Sequence, residues 1–321
     1  MSAQARPQLL AIAPVYAPAL EEVERSFTVH RLWQAGQPAA LLAQVSTQVR
    51  GLLTTGLRGF RAADIEALPA LEIIACFGQS HGTLDLDAAR ARNIAVTNTP
   101  DWTEQAVADV ALGLMLGVMR RLCEADRFVR AGRWPQGPFP MSTDLRGKTC
   151  GLIGLGAIGQ AIAQRVQVFG MTAVYHARSR QAQCPLRYYD DLAAMASDVD
   201  CLVIACAATA QTLRLVDRRI LAALGPSGYL INISRGAIVD QTALIEALTA
   251  GTIAGAGLEV FEAEPQVPAE MMAMEQVMLV PHIGSSTREI RAQRQARLLA
   301  NLHAHFAGAA LPDPVPETGP R

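Results

Sequence analysis

Thr149-Cys150-Gly151-Leu152-Ile153-Gly154-Leu155-Gly156-Ala157-Ile158-Gly159 is the stretch on which the fold turns. A β-rich run, Thr149 to Ile153, leads into G-x-G-x-x-G, and an amphipathic helical pattern from Ala157 to Phe169 follows. In a chain with 25 glycines the pattern alone says little, so the strand before it and the helix after it carry the argument. Gly154 permits a tight turn, Gly156 lets the backbone approach a pyrophosphate, and Gly159 lets helix and strand pack closely. Free N–H groups and the helix dipole then favour an anion. Gly154, Leu155, Gly156, Ala157, Ile158 and Gly159 are therefore expected to bind a dinucleotide.

The end of the next strand distinguishes the two common dinucleotides. An NAD site places Asp or Glu about 20 residues on, to accept hydrogen bonds from the ribose hydroxyls. Here the chain reads Tyr175-His176-Ala177-Arg178-Ser179-Arg180, and no carboxylate occurs between Asp144 and Asp190. A carboxylate would repel a 2′-phosphate, whereas Arg178 and Arg180 can form charge-assisted bonds with it and Ser179 adds a hydroxyl. NADP(H) is thus expected in preference to NAD(H).

Outward from this unit, short apolar runs alternate with helical patterns, the signature of a parallel sheet. Strands are expected at Thr149–Gly154, Thr172–His176, Cys201–Ala205, Tyr229–Ile233, Ala256–Val260 and Val277–Val280. Before them lies a second series, at Leu9–Ala13, Val49–Thr54, Ile73–Phe77 and Ala95–Thr97. Asp109 to Arg130 reads as one long helix and Ala131 to Arg146 as a loop. Ile290 to Ala307 reads as a final helix, and the tail from Pro312 to Arg321 as disordered. The fold class is α/β, with two Rossmann-like domains built on parallel sheets. Residues 1–100 plus 286–321 would form a substrate-binding lid and 101–285 the dinucleotide-binding domain, with the active site in the cleft between them.

Composition agrees. The 321 residues suggest about two domains at roughly 150 residues each, and 50% hydrophobic content supplies two cores. A net charge of −1 gives no field for nucleic acid or anionic lipid, and 5% aromatic content offers few stacking platforms. The longest apolar helical run, Val110 to Met119, is too short to span a bilayer. Leu9 to Leu20 could imitate a signal peptide, but Pro14 and Pro18 interrupt it. Six scattered cysteines without a CxxC pair fit a reducing cytoplasm, with neither a disulfide framework nor a metal site.

Three polar positions lie just beyond strands of the series that begins at Thr149, where ligands gather in doubly wound sheets. They are Arg235 in Asn232-Ile233-Ser234-Arg235-Gly236, Glu264 in Phe261-Glu262-Ala263-Glu264-Pro265, and His282 in Val280-Pro281-His282-Ile283-Gly284-Ser285. Singly, each has an ordinary explanation as a surface cation, a loop acid or a capping histidine. With Leu145-Arg146-Gly147-Lys148, Asn232 to Asp240, Gly255 to Pro265 and Pro281 to Thr287, however, the chain resembles the D-isomer-specific 2-hydroxyacid dehydrogenase family. Tyr175 to Arg180 and Phe139-Pro140-Met141 look most like its NADPH-dependent glyoxylate and hydroxypyruvate reductases.

The resemblance implies reduction of small 2-keto acids to D-2-hydroxy acids. His282 would be the general acid/base, Glu264 its carboxylate partner, and Arg235 the clamp on substrate carboxylate or keto oxygen. It also implies cofactor contacts at Ala207, Ile233 and Glu259. Substrate contacts would fall at Gln79, Ser80, Arg235, His282 and Ser285. The helix from Asp109 and the loop after it resemble a homodimer contact, through which Trp134, Phe139 or Met141 would reach the partner's site.

Three departures are visible. Gly78-Gln79-Ser80-His81-Gly82 replaces a glycine–valine–glycine run, Glu259 stands where Asp is usual, and Ala207-Ala208 replaces proline-leucine. His81 and His176 read as loop and strand-end polar residues. Two alternatives stay open: a reductase of 2-ketogluconate type, and a catalytically silent dinucleotide sensor.

Overall fold

The computed structural model describes residues 6–56, 58–78, 84–100 and 103–316. It divides into one unit of Met1–Trp102 with Arg288–Arg321 and another of Thr103–Thr287. In the first unit, β1 (Gln8–Ala11), β2 (Thr28–Arg31), β3 (Val49–Thr55), β4 (Ile73–Phe77) and β5 (Ala95–Thr97) form a sheet in the order β2-β1-β3-β4-β5. In the second unit the strands are β6 (Thr149–Ile153), β7 (Thr172–His176), β8 (Arg187–Tyr189), β9 (Cys201–Ile204), β10 (Tyr229–Asn232), β11 (Gly255–Leu258) and β12 (Val277–Leu279). Their order is β12-β11-β10-β9-β6-β7-β8. Every strand pair in both sheets is parallel. The α/β class with two parallel sheets is therefore as the alternation of apolar runs implied.

Strands β9, β10 and β11 are buried throughout, because helices cover both faces of a parallel sheet. Alternate residues feed two cores. Leu202, Ile204, Leu230 and Leu258 enter one; Cys201, Val203 and Ile231 enter the other. Asp191, Asp217 and Asp240 cap the helices Leu192–Asp198, Arg218–Leu224 and Gln241–Thr249 by accepting first-turn N–H groups. All six cysteines are free thiols; burial pushes those of Cys76 and Cys150 up to about 12, which makes them small hydrophobes. No helix among the described residues is long and apolar enough to cross a membrane.

Three expectations need correction. The helix expected over Asp109–Arg130 is two helices, Glu104–Met119 and Leu122–Arg130, because Arg121 adopts a left-handed φ of 55°. The Arg121 guanidinium meets the buried Glu124 carboxylate at 2.6 Å, an ion pair that holds the bend. The tail expected to be disordered is packed as far as it is described. Val315 is fully buried and its N–H donates to Val96 O, while Asp313 accepts from Asn301 and Arg297. Finally, β2 and β8 went unread, being short strands in polar sequence, Thr28-Val29-His30-Arg31 and Arg187-Tyr188-Tyr189.

Candidate active site

The glycine turn follows β6, and each glycine has its own steric reason. Gly154 has φ +96°, and a Cβ there would lie 2.8 Å from the Cys206 backbone. A Cβ on Gly159 would lie 2.4 Å from Gly154 O, so only glycine lets the helix Ala157–Val168 seat against the turn. A Cβ on Gly156, in contrast, would meet nothing within 4 Å, leaving an open cradle at the helix start. Gly156 caps no N–H with a side chain, and the helix has no acidic residue in its first turn. Its first intrahelical bond runs from Gln160 N to Gly156 O, which leaves the N–H groups of Ala157, Ile158 and Gly159 available. This donor set fits a pyrophosphate. Beyond β7, Arg178, Ser179 and Arg180 are exposed and make no hydrogen bond or ion pair among the described residues.

From the turn, a run of contacts crosses the C-terminal ends of the strands. Gly154 abuts Cys206, just past β9, which sets the exposed Ala207 beside the turn. Ser234 Oγ donates to Cys206 O, tying the end of β10 to the end of β9. Asn232 then shapes the loop that carries Arg235: its Oδ1 accepts from Ser234 N at 3.1 Å and its Nδ2 donates to Arg235 O at 3.1 Å. Ile233 is buried between them. Gly236 lies so close to the Phe261–Glu262 peptide that a Cβ would be 2.0 Å from Phe261 C. Glu259 N donates to Asn232 O, and His282 N donates to Glu259 O, each at 3.0 Å.

This ladder brings two of the three expected catalytic groups into contact. His282 Nδ1 lies 2.8 Å from Glu264 Oε2, and Phe261 N donates to Glu264 Oε1 at 3.1 Å. Fixing Nδ1 leaves Nε2 as the ring nitrogen available to a ligand. His282 holds a left-handed φ of 51°, a costly conformation for a residue with a Cβ and one that clusters at functional sites. Arg235 makes no hydrogen bond or ion pair with these two among the described residues. Its guanidinium is exposed and donates through Nη1 to Ser234 O at 2.7 Å. Glu259, 2% exposed, sits among all three, and its Oε1 accepts from Gly284 N. Burial pushes the Glu259 carboxyl above its ordinary range; the Gly284 N–H, His282 and Arg235 pull it back, and Glu264 adds to the rise.

Ser285 is half-buried in the loop after His282, and His176 bonds through Nδ1 to Tyr189 O at 3.0 Å. Gln79, Ser80 and His81 lie outside the described residues. No group of three or more His, Cys, Asp or Glu among the described residues is arranged to hold a metal. A groove of about 560 Å³ at the N-terminal ends of β6 and β7, lined by Thr149, Thr172 and Arg187 among others, contains none of the candidate residues. Sequence reading did not assign roles to Asn232, Gly236 or Gly284. The N-x-S turn signal at Asn232 was available; the close approach at Gly236 is visible only in three dimensions.

Residues 112–284 match the model of the D-isomer specific 2-hydroxyacid dehydrogenase, NAD binding domain. The chain is 42% identical over 307 residues to glyoxylate/hydroxypyruvate reductase A of Arabidopsis thaliana, covering 96% of this chain and 98% of that protein. It is 37% identical over 310 residues to 2-ketogluconate reductase of Gluconobacter oxydans, covering 97% and 99%. Among solved structures, it resembles NADPH-dependent glyoxylate/hydroxypyruvate reductase from Sinorhizobium meliloti in complex with NADP and malonate. That match has a TM-score of 0.84 and 39% identity, covering 99% of each chain. The chain therefore belongs to the D-isomer specific 2-hydroxyacid dehydrogenase family.

Proposed function

We propose that the protein reduces small 2-keto acids, glyoxylate and hydroxypyruvate foremost, to D-2-hydroxy acids with NADPH. The observation that carries this reading is the Glu264–His282 contact at 2.8 Å, at the same C-terminal end of the parallel strands as the glycine turn. In this reading the unit of Thr103–Thr287 is the dinucleotide-binding domain and the other unit takes the substrate. The N–H groups of Ala157, Ile158 and Gly159 hold the pyrophosphate within the turn from Gly154 through Leu155 and Gly156. Arg178, Ser179 and Arg180 read the 2′-phosphate, and Ala207, Ile233 and Glu259 face the rest of the dinucleotide.

The chemistry NADPH supplies when bound is a hydride for the keto carbon. Alkoxide character then develops on the keto oxygen, and His282 Nε2 delivers the proton that neutralises it. Glu264 keeps the ring in the orientation and tautomer that expose Nε2. Arg235 supplies a planar pair of donors to the substrate carboxylate or keto oxygen. Ser285, Gln79 and Ser80 complete the substrate contacts.

The test is to mix the purified chain with NADPH and, in turn, glyoxylate, hydroxypyruvate and 2-ketogluconate, following absorbance of the reduced nicotinamide. Consumption with the first two supports the reading. The relative from Gluconobacter favours a second one, in which 2-ketogluconate turns over fastest. Binding of NADPH without consumption under any of the three would leave a dinucleotide sensor. We also take the working form to be a homodimer. Leu122, Val129, Trp134 and Met141 leave apolar surface exposed along one stretch of chain, the kind of surface a second copy covers. Analytical ultracentrifugation decides that point.

A further inference from the structure

The loop carrying Arg178, Ser179 and Arg180 is exposed along its length but pinned at both ends. At its start, Tyr188 Oη donates to Ala177 O at 3.2 Å. At its finish, Gln181 N donates to Tyr175 Oη at 2.9 Å, and Tyr175 is fully buried against Tyr188, ring centroids 5.3 Å apart. Gln181 also makes a second, longer-range bond: its Nε2 donates to Leu155 O at 2.7 Å. Gln160 Nε2 reaches the same oxygen at 3.3 Å.

Leu155 is the residue between the first two glycines of the turn. Its carbonyl and the Gly156 N–H belong to one trans peptide plane and point in opposite directions. Drawing Leu155 O toward Gln181 and Gln160 therefore aims the Gly156 N–H to the other side. It also keeps the partial negative charge of that carbonyl occupied by donors instead of leaving it to face an anion.

We propose that Gln181 is a positioning residue for cofactor choice, locking the Arg178–Arg180 loop to the glycine turn so that 2′-phosphate and pyrophosphate are recognised in fixed register. This rests on the NADPH reading given above. A side chain that merely capped Leu155 would serve NADPH and NADH alike. One that sets the arginine loop serves NADPH more.

The experiment compares kcat/KM with NADPH and with NADH for wild type, Gln181→Met, Arg178→Ala/Arg180→Ala, and the combined variant. Methionine keeps the length of the side chain and removes the donor. The expected result is a fall of about three- to tenfold in the NADPH/NADH ratio for Gln181→Met. It should arise from a higher KM for NADPH, with kcat little changed. That fall should shrink toward nothing when the arginines are already gone, since coupled residues are non-additive. Tyr175→Phe, which removes the other anchor of Gln181, should shift the ratio the same way and carries the test if Gln181→Met does not fold. Equal losses with both cofactors, or an unchanged ratio in both variants, overturns the inference and leaves the NADPH reading standing. A wild-type enzyme without NADPH preference overturns both.

Discussion

In each sheet the strand order reverses at one place, between β1 and β3 in the first and between β6 and β9 in the second. Such switch points leave a crevice at the carboxyl ends of the strands, where doubly wound folds bind ligands. The two crevices are finished differently. After β1 the chain runs Ile12-Ala13-Pro14-Val15-Tyr16 into the helix Ala17–Ser26. There Pro18 has no N–H, and the N–H groups of Ala19 and Leu20 already donate to Tyr16 O at 2.9 and 3.1 Å. After β6 three glycines bring backbone, helix and open space together, and three first-turn N–H groups are left to a ligand. Topology supplies a crevice twice; only after β6 do glycines leave open space and first-turn N–H groups, the donor set that suits an anion.

The largest effect that sharpens this contrast is at the catalytic end of the second sheet. His282→Ala should lower kcat by about 10²–10⁴-fold while leaving the Kd for NADPH unchanged, measured by steady-state kinetics and fluorescence titration. Next, Arg178→Ala with Arg180→Ala should reduce the NADPH/NADH ratio of kcat/KM by about 10–100-fold, the loss expected when charge-assisted bonds disappear.

Two glycine substitutions separate approach from strain. Gly154→Ala must fit a Cβ at φ +96° against the Cys206 backbone and should cost about 1–3 kcal/mol of stability by denaturant titration. Gly156→Ala has room for its Cβ and should stay within about 0.5 kcal/mol of wild type, yet weaken NADPH about tenfold. The smallest effect concerns Glu259. Its carboxyl binds a proton more readily folded than unfolded, so its contribution favours the fold fully below the ordinary value of 4.5. That contribution is lost as pH rises through the higher folded value. Glu259→Gln should flatten the dependence of Tm on pH across that window.

Much of this was readable from residue order. β4, β5 and β7 fall where their apolar runs end, since parallel strands are buried on both faces and announce themselves. The glycine turn was readable because strand, spacing and helix are contiguous. Arg235, Glu264 and His282 were readable only as strand-end polar residues backed by family resemblance, because three parallel strands in register are what bring their loops to one end of the sheet. β2 and β8 carry no apolar run, and the break at Arg121 has no glycine or proline to mark it. The role of Gln181 had no signal at all, since an amide reaching 26 residues back to a carbonyl leaves no pattern.

Hydrogen exchange with and without NADPH tests the contrast between the two crevices most directly. The amides of Ala157, Ile158 and Gly159 lack intrahelical partners, so they should exchange quickly in the free protein and slow markedly on binding. The segment from Ile12 to Leu20 should show little change. Slowing confined to residues 12–20, or unaltered exchange at 157–159 in a protein that demonstrably binds NADPH, would contradict the account.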